Sequence, residues 1–150
     1  MSRNAAVQKI LKQGMPDGRG PLPVLSLEDF FIGNHDEGSI GCNLRKHPGI
    51  DHFYKALLGI RNREDVQDVL IEVIDLNELD SEEYQDEEDE GAEWPFSERV
   101  YLLTTATVQQ VEGWVQELGP DDVAEGWSSG KPPAAPVPND GFGVISVWWD

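Results

Sequence analysis

Apolar residues recur along this chain with two different periods, one near 3.6 and one near 2, so helices and strands are both expected. Val7, Ile10 and Leu11 mark a short amphipathic helix over Ala5–Gln13, and the glycines and prolines of Gly14–Pro21 break it. Val24–Ile32 reads as a strand: Leu25, Leu27 and Phe31 share a face, and Phe30 and Ile32 make its end apolar on both. The glycine-bearing stretch Asn34–Leu44 reads as a loop. His47-Pro48-Gly49 then opens a helix reaching Arg63, with Ile50, Phe53, Tyr54, Leu57 and Ile60 as its buried stripe. Pro48 suits a first helical turn, where its missing N–H costs nothing.

The second half repeats the theme. Val69, Ile71 and Val73 alternate in a strand over Val66–Leu76, and a third strand is expected over Glu98–Thr105. Thr107-Val108-Gln109-Gln110 has the form of a capping box, in which Thr107 caps the helix and Gln110 reaches back. That helix buries Val108, Val111, Val115 and Leu118 and stops at Gly119-Pro120. Asp121–Asp140 is rich in Pro, Gly and Ser and reads as a long loop before a last strand, Phe142–Trp149. The predicted order is an N-terminal helix followed by β-α-β-β-α-β. Two interleaved right-handed strand–helix–strand units would give a ferredoxin-like split sheet, an α+β fold. Both helices would then share one face of the sheet. Strands apolar on both sides require the other face to be covered, by the N-terminal helix, by the 121–140 loop or by a partner.

At 150 residues, with 39% hydrophobic content, the chain is expected to be a single domain with a real core. Residues 1–20 form its N-terminal helix and linker, 77–95 an acidic loop and 119–140 a Pro/Gly-rich loop. Charge changes the picture most. The formal net charge is −18, and Glu78–Glu93 holds ten acidic residues without one Lys or Arg, leaving −8 on the rest. Like charge this dense repels itself and stays solvated. It argues against nucleic acid and against anionic membrane surfaces as partners, and it favours a basic protein.

Cys42 is the single cysteine, so no internal disulfide is possible, which fits a reducing compartment. The N-terminus lacks the apolar core of a signal peptide, no stretch reaches transmembrane length, and the cytoplasm is the expected location.

Candidate chemistry is sparse. Cys42 lies near His35, His47 and His52, but a thiolate nucleophile needs an electropositive setting that this acidic chain does not offer, and a small buried cysteine is the simpler reading. The glycines around Ser39 lack the Lys-Ser or Lys-Thr of a phosphate loop. Asp86, Glu88, Glu90 and Gly91 echo the start of a calcium loop, yet its twelfth position falls on Ser97, and Glu98 comes one residue late. His47 and His52 have no thiolate pair with which to hold zinc. No cofactor, metal or catalytic set is expected.

The tryptophans are more suggestive. Trp94-Pro95, Gly126-Trp127 and Trp148-Trp149 all fall in loops or at strand ends, where they serve equally as packing or as contact anchors.

The acidic run, the apolar Trp94-Pro95-Phe96 beside it and the Trp127 loop together resemble the small acidic immunity proteins of bacterial polymorphic-toxin systems. That resemblance implies a non-enzymatic domain that binds and neutralises a basic toxin. The expected contact residues are Asp86, Glu87, Glu88, Asp89, Glu90, Trp94, Phe96 and Trp127. Two other classes stand beside it. One is a ferredoxin-like regulatory or small-ligand-binding domain with a pocket on the open sheet face; the other is an enzyme centred on His35, Asp36, Glu37 and Cys42.

Overall fold

The computed structural model describes residues 3–13, 20–76 and 94–150. In chain order its elements are α1 (Arg3–Gln13), β1 (Val24–Ser26), α2 (Leu27–Phe31), α3 (Ile50–Arg61), β2 (Val66–Glu72), β3 (Arg99–Thr104), α4 (Val108–Val115), β4 (Asp122–Glu125) and β5 (Gly143–Trp148). The fold is α+β, with one five-stranded sheet in the order β1-β2-β3-β5-β4 and every neighbouring pair antiparallel.

That order is not the ferredoxin-like one. β1 pairs directly with β2, so the chain between them folds back through α2 and α3 without crossing over to a parallel strand. A split unit does exist in the second half. β3 and β4 both run antiparallel to β5, hence parallel to each other, with α4 between them in sequence and β5 between them in space. Its second strand is β4, which lies inside the stretch read as the 121–140 loop. Four residues with an acid at each end carry too little alternation to announce a strand.

The first strand is also shorter than expected. Ser26 accepts a hydrogen bond from the Asp29 amide at 3.1 Å and starts α2, ending β1 after three residues. One helical turn then buries both Phe30 and Phe31, which a strand would have sent to opposite faces. The expected Thr107–Gln110 capping box is present, with the Gln110 amide donating to Thr107 Oγ1 at 3.2 Å and the Thr107 amide donating to Gln110 Oε1 at 2.9 Å. Gly119 ends that helical stretch in the left-handed conformation at φ 66°. Ahead of α3, Gly49 caps the helix and Pro48 stands outside the first turn.

The main core lies between the helices and one sheet face. Ile10, Phe30, Phe53, Leu57 and Val111 pack there against Val69, Ile71, Leu102 and Val147. α1 joins this helical side. The cover of the opposite face comes from the 127–137 stretch: Val24, Leu70, Tyr101 and Leu103 pack with Ala135 and the half-buried Trp127. Gln67 on β2 holds that cover down, donating to the Val137 carbonyl at 3.1 Å and accepting from the Asn139 amide at 2.7 Å.

Candidate partner-binding surface

The sheet register decides where charge collects. Arg99 and Asp122 both lie opposite Trp148, and the Trp149 amide donates to the Glu98 carbonyl at 2.8 Å. The Asp121 amide donates to the Trp148 carbonyl at 2.8 Å, and the Asp150 amide to Asp121 Oδ2 at 2.7 Å. Beyond β2, Asp75 bridges to Phe96, on the two flanks of the 77–93 segment. Glu98, Asp121, Asp122, Asp150 and both attachment points of the acidic run therefore occupy one end of the sheet.

Most of the ion pairing lies elsewhere. Arg61 binds Glu28 through both terminal nitrogens, which holds the Glu28 carboxyl below its ordinary pKa. Lys9 pairs with Asp29 at 2.6 Å and Arg63 with Asp65 at 2.9 Å, whereas Arg99, at this same end of the sheet, approaches Glu72 at 3.6 Å. Glu117 faces His52 at 3.7 Å. Among the described residues no ion pair reaches Glu112, Asp121, Asp122, Glu125 or Asp150. Arg45 lines a cavity of about 320 Å³ beside Asp121 and Asp150 without pairing with either.

Of the contact residues expected from sequence, Asp86, Glu87, Glu88, Asp89 and Glu90 lie outside the described residues. Trp94 corrects the expectation. It is 4% exposed within the main core, and its amide donates to Asp36 Oδ2 at 3.0 Å. Phe96 is half-buried and serves in the bridge to Asp75. Trp127 is half-buried with its ring edge-on to Tyr101, centroids 4.8 Å apart. Trp149 is buried against Phe53 and donates its indole N–H to the Leu118 carbonyl at 2.8 Å. The large apolar side chains exposed among the described residues are Ile32 and Val137. No aromatic platform stands open there, so this surface offers charge and main-chain groups instead.

Sequence reasoning missed a polar cluster under the Trp127 loop. Tyr101 donates its hydroxyl proton to the buried Glu72 carboxylate. The Ser128 amide donates back to the Tyr101 hydroxyl at 3.2 Å, and Ser128 Oγ sits 2.6 Å from that hydroxyl and 3.3 Å from Glu72 Oε2. Burial, reinforced by the hydrogen bond to Glu72, pushes the Tyr101 pKa up to about 12, so the phenol stays a donor. Each polar group here is engaged by another, and the arrangement clasps the loop to the sheet. A Glu directly after the apolar run Val69–Ile71 of β2 was the available signal.

Of the enzyme candidates, Asp36 has a structural role, and Glu37 lies 4.0 Å from Nδ1 of the neighbouring His47. Asp36 accepts from the Gly38 and Trp94 amides, and His47 donates from Nε2 to the Ile40 carbonyl while Nδ1 accepts from the Gly49 amide. Cys42 is exposed in a turn rather than buried. Its neighbour Ile40 is drawn into the core by a bridge to Ser97, which leaves the following turn outside. Among the described residues no group of three or more His, Cys, Asp or Glu is placed to hold a metal ion.

The family described as "Uncharacterized protein YfbO family" matches residues 1–147. The chain belongs to that family. A bacterial relative, "Uncharacterized protein YfbO" of Escherichia coli (strain K12), is 37% identical over 131 residues, covering 87% of this chain and 84% of its own. No solved structure matches the chain. No helix among the described residues is long and apolar enough to cross a membrane.

Proposed function

We propose that this protein is a non-enzymatic binding domain that neutralises a basic protein partner, in the manner of an immunity protein acting on a toxin. One observation carries the reading. Glu98, Asp121, Asp122 and Asp150 gather at the sheet end from which the ten-acid run departs, while among the described residues Lys9, Arg61, Arg63 and Arg99 pair with Asp29, Glu28, Asp65 and Glu72. Charge of one sign concentrated on one end raises the encounter rate with an oppositely charged surface. The scarcity of exposed apolar side chains on the described surface fits recognition led by electrostatics.

The test is capture from a bacterial lysate at low and high salt, followed by association kinetics on the retained protein. A basic partner is expected, with an association rate that falls as salt rises. Changing Asp121, Asp122 and Asp150 together to Asn should slow association and flatten that salt dependence, leaving dissociation nearly unchanged. Retention of no basic protein at low salt, or kinetics indifferent to the three changes, overturns the reading.

A further inference from the structure

We propose that β4 is a docking edge, on which an extended lysine- or arginine-rich segment of the partner pairs as a sixth strand. This rests on the reading of the protein as an acidic binder and adds the place and the conformation of what is bound.

The sheet has two edges, and they differ. At β1 the Gln13 side-chain amide takes both main-chain groups of Val24, donating to its carbonyl at 2.8 Å and accepting from its amide at 2.9 Å. Ser26 then turns the chain into α2, so β1 offers a partner almost nothing. β4 is open. The Gly126 amide donates to the Val144 carbonyl at 2.8 Å, which sets the antiparallel alternation with β5. By that alternation Asp122 and Ala124 turn their main-chain groups toward β5, while Val123 and Glu125 turn theirs outward. Among the described residues no hydrogen bond takes up those outward groups.

The surroundings select the charge of the occupant. Residues 107–125 hold five acids and no Lys, Arg or His. Asp122 and Glu125 are exposed on the strand itself, and Glu112 of α4 and Gln116 just past its end line a cavity of about 300 Å³ with Asp121, Asp122 and Val123. Side chains of an added strand would alternate between two acidic settings, one over that cavity toward Glu112 and one beside Asp122. The same charges discourage pairing between two copies of this chain, since like-charged edges repel. An extended segment with basic residues at alternate positions satisfies both the open main-chain groups and the charge.

The probe is a short acetylated, amidated peptide of alternating lysine and valine. Its controls are the same peptide with proline at the central valine, which keeps the charge and loses strand pairing, and an alternating glutamate–valine peptide. The lysine peptide should bind the intact chain, more weakly as salt rises, and should slow hydrogen exchange at the Val123 and Glu125 amides. Glu125→Pro deletes one outward N–H from a residue with an exposed side chain, and Glu125→Gln removes only the charge. The proline variant should bind about fivefold more weakly than the glutamine variant, the loss of roughly one net hydrogen bond. Equal binding of the proline-containing peptide, equal affinity of the two variants, protection confined to other residues, or self-association through β4 would each overturn strand pairing. If Glu125→Pro does not fold, the proline-containing peptide against the intact chain decides alone. Salt-dependent capture of a basic protein that ignores Glu125→Pro removes this inference and leaves the acidic-binder reading in place.

Discussion

The amide of Phe96 donates to the carbonyl of Asp75 at 2.8 Å, and the Phe96 carbonyl accepts from Ile74 at 2.9 Å. These two bonds extend the β2–β3 pairing and tie together the flanks of the 77–93 segment. Deleting Glu82–Glu90 should therefore leave the sheet intact and relieve charge repulsion. A thermal melt of the deletion is expected to match or slightly exceed that of the full chain. A large fall in midpoint would show that the deleted residues contribute to the packed domain.

Trp94 and Trp127 should behave differently when truncated. Trp94 is buried in the main core, so Trp94→Ala is expected to cost about 3–5 kcal/mol in chemical denaturation. Trp127 is half-buried over Tyr101, and its loss should cost about 1–2 kcal/mol and speed hydrogen exchange in the 126–130 stretch. Equal costs would contradict the burial described here.

Leu57 and Val111 are both fully buried on the helical side of the sheet. Replacing either with Ala should cost about 2–4 kcal/mol, with the valine at the lower end because fewer methyl groups are removed. Urea titration measures both, and a neutral outcome would place that helix face away from the core.

Tyr101 links Glu72 to the loop that covers the second sheet face. Tyr101→Phe removes the hydroxyl donor from the buried Glu72 carboxylate, leaving it to Ser128 and Arg99, and should cost about 1–3 kcal/mol near neutral pH. Its pH dependence has a definite sign. Tyr101 is raised to about 12 from an ordinary value near 10, so the folded state holds a proton that the unfolded state releases first. The stabilisation is complete below pH 10 and is lost as pH climbs toward 12. Wild-type stability should thus fall more steeply over that window than the stability of Tyr101→Phe, measured as unfolding free energy against pH.

Much of the local structure was legible because its causes lie within a few residues. The Ile50–Ile60 stripe, the Thr107–Gln110 capping box and the alternation of Val69, Ile71 and Val73 all follow from periods set by the backbone. The exceptions had competing local causes. Ser26 with Asp29 three residues on is a helix-start signal, and it overrode the apolar run that suggested a longer strand. The site was less legible. Trp94 beside a run of ten acids suggested an anchor, but its indole belongs to the core, and burial of that kind depends on residues far away in sequence such as Asp36.

Composition and short-range periodicity alone carried the class of the fold, α1, α3 and α4, most of the strands and a strongly acidic charge balance. The tertiary structure alone decided the order of the strands. Placing β5 between β3 and β4 depends on pairings such as Leu102 with Ile145 and Val123 with Val147, between segments well separated in sequence, which no local period encodes. That placement brings Glu98, Asp121, Asp122 and Asp150 to one end of the sheet and leaves β4 as an open edge, while Gln13 closes the edge at β1. Acidity is a property of the chain, but an acidic edge exists only once long-range pairing has chosen which strand stands outermost.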